Sequence, residues 1–242
     1  MNIRTLFHQT VRIPLKKFGI HVCASHKYPV CSGSLLDLAV AAFLPTIDDF
    51  VVCQVGASDG KSSDPLEHLI DKYELKGILI EPLPGSFELL AKKYHRYERI
   101  TCVNCAISDI EGLVTFYCPK NNGRTGISEF QKSGMTKVSL VKAGIPESDI
   151  EEISVNSKTL PQVMQDQGLA KIDLLQIDTE GYDYEIVKQG LKLPAPPAII
   201  HFETIHLSRF DKLNSRHVLT AKGYSLIESE TDTLAYQFNL LT

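Results

Sequence analysis

The run Phe50-Val51-Val52-Cys53-Gln54-Val55 is apolar but for one residue. It stops at Gly56, and Gly60 closes the turn Gly56-Ala57-Ser58-Asp59-Gly60. A buried strand ending in such a turn points to an open α/β sheet, where glycines let the backbone approach a ligand at the strand's end. A second apolar run, Gly77 to Ile80, ends in an isolated acid, Glu81, twenty-one residues beyond Gly60. A carboxylate at that spacing accepts hydrogen bonds from ribose hydroxyls. The turn lacks the G-x-G-x-x-G that brings a pyrophosphate onto a helix N-terminus, and Asp59 sets a negative charge where a diphosphate would lie. A ribose-bearing ligand without phosphates fits better, and S-adenosylmethionine is the obvious one.

From Phe50 onward, short apolar strands alternate with helical patterns. Strands are expected at Val51–Val55, Gly77–Glu81, Arg99–Ala106, Leu113–Cys118, Glu152–Val155, Ile172–Asp178 and Ala198–Glu203, then Tyr224–Glu228 and Leu234–Leu240 around the turn at Glu230-Thr231-Asp232. Helices are expected over Pro65–Leu75 with Asp64 as cap, Gly85–Tyr94, Leu160–Gln167, Tyr182–Gln189 ended by Gly190, and Leu207–Ala221 ended by Gly223. This alternation predicts a Rossmann-like α/β fold. Its sheet is seven-stranded and mostly parallel, with helices on both faces and a C-terminal antiparallel hairpin, as in class I methyltransferases. Residues 1–48 read as an N-terminal helical extension, with Ser32 or Ser34 capping a helix that Pro45 closes, and residues 49–242 as the cofactor domain. The irregular stretch 119–150 reads as a lid.

At 242 residues the chain is long enough for one such domain with an added element. The net charge of −4 argues against nucleic acid, which usually calls for a basic excess. No stretch approaches the length of a membrane span, and the basic, interrupted N-terminus is not a convincing secretory signal. Cys102 and Cys105 have C-x-x-C spacing, but no second pair completes a zinc set. No metal is expected, and six thiols suit a reducing cytoplasm.

Four blocks occur in order: Val51 to Gly60, Ile80-Glu81-Pro82-Leu83-Pro84, Asn104-Cys105-Ala106-Ile107-Ser108-Asp109, and Ile172 to Tyr182 with its Ile177-Asp178-Thr179-Glu180-Gly181-Tyr182 core. In these blocks the chain resembles the FkbM family of S-adenosylmethionine-dependent methyltransferases over about residues 50–205. The resemblance implies that Gly56, Ala57 and Gly60 wrap the methionine portion, that Glu81 and Pro82 meet the ribose, and that Asn104, Cys105 and Ala106 pass the adenine. It puts Asp178 beside the transferable methyl. The family usually has an acid where Gln54 stands, so Asp59 is the expected substitute for that charge.

His201-Phe202-Glu203-Thr204-Ile205-His206 is a second cluster. A non-haem iron triad is the less favoured reading, because its second histidine normally comes from a distant strand of an all-β fold. Asp178, Glu203 and His206 are instead the candidates for handling the acceptor's proton, and His201 suits a core position equally well. The expected function is O-methyl transfer to a hydroxyl of a small acceptor, a sugar or glycosylated metabolite, with Arg124 and Ser128 on the lid. The rivals are a catalytically silent module of the same fold and an NAD-dependent oxidoreductase.

Overall fold

The computed structural model describes residues 34–62, 64–120, 133–142 and 144–237. The chain divides into two compact units at the junction of Asp49 and Phe50. In the first, α1 (Leu35–Phe43) begins at a capping box: Asp37 N–H donates to the Ser34 hydroxyl at 3.2 Å while the Asp37 carboxylate accepts from Ser34 N–H. Pro45 follows in a short 3₁₀ turn, Leu44–Thr46.

The second unit holds the sheet. Its elements are β1 (Val51–Val55), α2 (Glu67–Tyr73), β2 (Lys76–Ile80), α3 (Pro84–Tyr94), β3 (Ile100–Val103), β4 (Ala106–Ile107), β5 (Gly112–Pro119) and α4 (Val138–Lys142). There follow β6 (Ile150–Lys158), α5 (Leu160–Asp166), β7 (Leu174–Ile177), α6 (Asp183–Gly190), β8 (Ile199–Glu203), α7 (Arg209–Ala221), β9 (Ser225–Glu228) and β10 (Asp232–Tyr236). Seven strands pair in the order β3-β2-β1-β7-β8-β10-β9, all parallel except β10, which runs antiparallel to both β8 and β9. The expected hairpin is present, with β10 tucked inside and the largely exposed β9 at the edge.

β1 is buried along its whole length because it is paired on both sides, by β2 and by β7. Strand order runs outward one way from β1 and the other way from β7, so a topological switch point lies between them. Right-handed crossovers in opposite directions put the helices on opposite faces and leave a crevice at the strands' C-terminal ends. Below the crevice, Leu175, Ile177, Ile200 and Phe202 pack with Ile186 and Val187 of α6 in the largest apolar cluster.

The structure corrects three expectations. The single strand over 99–106 is two: β3 stays in the main sheet, while β4 joins a separate three-stranded sheet, β4-β6-β5. The break falls at Asn104, whose amide donates to the carbonyls of Glu81 at 2.8 Å and Pro82 at 3.2 Å and so turns the chain out of the sheet. β6 is nine residues long and pairs along all of β5, a register far longer than its apolar pattern suggested. Asp64 does not cap α2, which starts later without a side-chain cap.

Candidate active site

At the switch point, β1 runs into Gly56 at φ +85°, and Gly56 and Ala57 both donate to the Ile80 carbonyl at 3.0 Å. A Cβ on Gly56 would lie 1.8 Å from the Asp178 carbonyl oxygen, so β1 and β7 can close on each other here only with glycine. The turn then lifts Ser58 over the end of β2, where its N–H donates to Glu81 Oε2 at 2.9 Å. Leu83 N–H donates to the other oxygen, Oε1, also at 2.9 Å. Glu81 is 4% exposed, and burial pushes its carboxyl up to about 7 against the pull of those two bonds.

These ends surround a cavity of about 340 Å³, a size suited to a small ligand. Gln54, Gly56, Ala57, Glu81, Pro82, Ala106 and Asp178 all line it, as the sequence led one to expect. Four of the expected cofactor contacts sit elsewhere. Asp59 closes its own turn: Oδ1 accepts from Lys61 N–H at 3.0 Å and Ser62 N–H at 2.8 Å. Partial burial raises its carboxyl, but these bonds outweigh that and hold it below its ordinary value. Gly60 faces α3, where a Cβ would come within 2.8 Å of Leu90 and Tyr94. Asn104 braces the Glu81-Pro82 backbone, and Cys105 is buried in the main apolar cluster, so of that turn only Ala106 reaches the cavity. From the irregular stretch, Ser133 and Met135 line the wall, whereas Arg124 and Ser128 lie outside the described residues.

Among the cavity-lining residues to which the sequence reading gave no site role are Asp64 and Ser86. Asp64 had read as a helix cap. Its Oδ1 instead accepts from Gln54 Nε2 at 3.0 Å and from Leu66 N–H at 2.8 Å. Among the described residues, Gln54 Oε1, Asp64 Oδ2 and Ser86 Oγ are buried in the cavity wall without a hydrogen-bond partner. Protein interiors rarely leave such groups unmatched, and a polar ligand would satisfy them.

The opposite wall comes from the turn after β7. Asp183, buried at the start of α6, gathers this turn: its carboxylate accepts from Thr179 N–H at 3.3 Å, the Thr179 hydroxyl at 3.0 Å and Gly181 N–H at 3.1 Å. Burial lifts Asp183 to about 6 despite these bonds. Between the anchor points Glu180 takes a left-handed φ of +57° and lines the cavity. His206 and Glu203 stand just behind it rather than in the wall: His206 Nε2 is 3.0 Å from Glu180 Oε2 and 3.8 Å from Glu203 Oε2. Glu180, Glu203 and His206 offer ligand atoms within 4.8 Å of one another, a spacing at which they could share either a proton or a divalent cation. His201 is not among them. Its Nδ1 pairs with Gln176 Oε1 at 2.6 Å across β7 and β8, and burial lowers its pKa, as suits a core histidine.

The chain is similar to the 2-O-methyltransferase NoeI of Sinorhizobium fredii, at 24% identity over 164 residues. That match covers 64% of this chain and 63% of NoeI, so the chain spans less than two thirds of its relative's length. Among solved structures it is similar to a methyltransferase FkbM from Methylobacillus flagellatus KT, 14% identical with a TM-score of 0.48, covering 78% of this chain and 43% of that one. It is also similar to Aeropyrum pernix fibrillarin with natively bound S-adenosyl-L-methionine, 10% identical with a TM-score of 0.43, covering 83% and 73%. The model of the methyltransferase FkbM domain matches residues 54–226, from the end of β1 into β9, and the chain therefore belongs to the FkbM methyltransferase family.

Proposed function

We propose that the protein is an S-adenosylmethionine-dependent O-methyltransferase acting on a hydroxyl of a small acceptor of the sugar class. The observation that carries this reading is the two-ended cavity. One end joins a glycine turn to the buried Glu81, and the other is a carboxylate wall at Asp178 and Glu180 backed by His206. Carboxylates accept from the several hydroxyls of a polyol, and the relative NoeI carries the name of a 2-O-methyltransferase. A net charge of −4 favours a small acceptor over nucleic acid. Among the described residues no helix is long and apolar enough to cross a membrane. The free thiols of Cys53, Cys102 and Cys105 suit a reducing cytoplasm.

The bound cofactor supplies an electrophilic methyl group on a sulfonium. The chain's own residues do the rest. Glu81 holds the ribose hydroxyls, the backbone of Gly56 and Ala57 lies along the cofactor, and Asp178 and Glu180 orient the acceptor oxygen for in-line attack. Glu180, which lines the cavity, accepts the hydroxyl's proton and passes it to His206 Nε2, which stands 3.0 Å behind it. The products are the methyl ether, S-adenosylhomocysteine and one proton carried away through His206.

The test is transfer of labelled methyl from S-adenosylmethionine to a panel of free and glycosidic sugars. Transfer to a hydroxyl supports the reading. Cofactor binding without transfer to any hydroxyl compound would favour the silent module, and turnover with NAD would favour the oxidoreductase. His206→Asn is expected to lower kcat by about 10²- to 10⁴-fold, the usual worth of a positioned base, with KM little changed. Treating the enzyme with a chelator separates the two uses of the Glu180–Glu203–His206 cluster. Unchanged turnover is expected, whereas loss restored by Mn²⁺ would make the cluster a metal centre and overturn the proton-acceptor role.

A further inference from the structure

Among the described residues, Ser133 and Met135 bring the irregular stretch to the cavity wall. They flank Gly134, which forms an isolated antiparallel bridge to Tyr117 of β5: Tyr117 N–H donates to the Gly134 carbonyl at 2.8 Å, and Gly134 N–H donates back at 3.1 Å. Alternation along an extended segment turns both flanking side chains to one side, here the cavity side. The segment is fixed again further on. Lys137 Nζ stands 5.0 Å from the centre of the Tyr117 ring and 2.9 Å from Glu152, the residue opposite Tyr117 on β6. Leu140 of α4 is buried with Ile145 and Ile150 in a cluster against which Tyr117 packs. Gly134 also shows which end of the cavity this segment crosses. A Cβ there would lie 3.7 Å from Glu180 Cβ and 3.8 Å from the Glu180 carbonyl oxygen, so Ser133 and Met135 flank a point beside Glu180. Met135 packs in turn on the cluster of Leu83, Ala106, Phe116 and Val155, and Phe116 is itself part of the cavity wall.

The Glu180 end of the cavity therefore combines two unlike surfaces. One is the carboxylates of Asp178 and Glu180; the other is an apolar pair, Phe116 and Met135, with the Ser133 hydroxyl beside it. A pyranose ring has the same two characters, hydroxyls around its rim and C–H bonds on its faces. Rim hydroxyls donate to carboxylates. A C–H face offers only contact, which an aromatic ring and a polarisable thioether supply. Resting on the methyl-transfer reading above, we infer that Phe116 and Met135 are specificity-determining residues that seat one C–H face of the acceptor ring, while Ser133 reads a hydroxyl next to the one methylated. The acceptor is then a ring with no axial hydroxyl on that face. Such a hydroxyl, pointed at Phe116 and Met135, would be stripped of water and left without a partner, which costs more than a lost apolar contact. The cofactor, held at the ends of β1 and β2, depends on none of the three side chains.

The test measures methyl transfer to the methyl glycosides of glucose, mannose, galactose and allose, with calorimetric binding of S-adenosylhomocysteine as a separate readout. Mannose and galactose carry their axial hydroxyl on one face of the ring, and allose carries its own on the other. The unaltered protein is expected to use the glucoside and to discriminate by face. It should lose roughly 10- to 100-fold in kcat/KM either on the mannoside and galactoside together or on the alloside. Met135→Ala should narrow that gap and raise KM roughly 10-fold with kcat little changed, and Met135→Leu should restore both. Ser133→Ala should raise KM by a similar factor without touching the face preference. Affinity for S-adenosylhomocysteine should stay within about twofold in all three variants, which also reports that they fold. Equal use of the four glycosides by the unaltered protein would overturn the inference, and that arm needs no variant. So would a gap that survives Met135→Ala, or a parallel loss of S-adenosylhomocysteine affinity, which would give these side chains to the cofactor. Methylation of none of the four would overturn it as well, and the wider sugar panel then decides whether the proposed reaction falls with it.

Discussion

Gly56→Ala is expected to abolish cofactor binding and to destabilise the protein by about 2–5 kcal/mol, the combined scale of left-handed strain and backbone overpacking. Two separate faults act at this residue. Its φ of +85° is one that alanine resists, and the added Cβ would meet the Asp178 carbonyl at 1.8 Å. That carbonyl is backbone and cannot swing aside as a side chain would. β1 and β7 would have to part where Asp178 N–H bonds the Val55 carbonyl at 2.9 Å, which opens the crevice at its apex. Gly112→Ala is the control. Gly112 has a φ of +112° but nothing within 4 Å of its added Cβ, so only the conformational cost, about 1 kcal/mol, should appear. Denaturant unfolding of both variants measures the contrast. Equal losses would mean that the closeness of β1 and β7 is not what demands glycine at position 56.

The second large effect is a pH dependence governed by Glu81. In the ligand-free protein its carboxyl sits at about 7, above an unfolded value near 4.3, because burial penalises the charge. A raised folded pKa means that the folded state holds its proton longer than the unfolded chain does. Glu81's contribution to stability is therefore complete below about 4.3 and is lost as the pH rises through 7. Asp183, at about 6, adds a loss of the same sign, completed a little lower in pH. Together they should lower ligand-free stability by a few kcal/mol between about pH 4 and 7. Ribose hydroxyls donate to the ionised carboxylate, so cofactor affinity should run the other way. It should climb with pH up to about 7 and level off above, with a proton released on binding at lower pH. Asp64, the other cavity acid raised by burial, acts in the same direction, and Asp64→Asn separates the two contributions. Titration in buffers of different ionisation enthalpy detects the released proton. Glu81→Gln should bind roughly 10- to 100-fold more weakly and lose most of that pH dependence, since the amide keeps the shape without the charge. An affinity independent of pH from 5 to 8 would contradict this role for Glu81.

Much of the fold could be read from the chain because the central strands Val51–Val55 and Leu174–Ile177, paired on both sides, are buried along their length and so apolar but for one residue each. Gly56, Glu81 and Asp178 were legible for a related reason: each follows the end of a buried strand at a fixed place in the sequence. What stayed hidden depends on contacts between distant segments. The break at Asn104 is made by carbonyls of the Glu81-Pro82 segment, which no local pattern reveals. Asp64, followed by Pro65, carries a good helix-start signature, and its diversion to Gln54 shows only once α2 is seen to begin at Glu67. Glu203 and His206 stand close together in the sequence and were picked out as a pair, but their grouping with Glu180 joins the ends of β7 and β8 and shows only in the fold.

The most direct test of the central claim is calorimetric titration of the unaltered protein with S-adenosylmethionine and S-adenosylhomocysteine, with NAD alongside. One saturable site for each sulfur nucleoside and no heat with NAD is the expected result. Binding of NAD alone, or of none of the three, would contradict it.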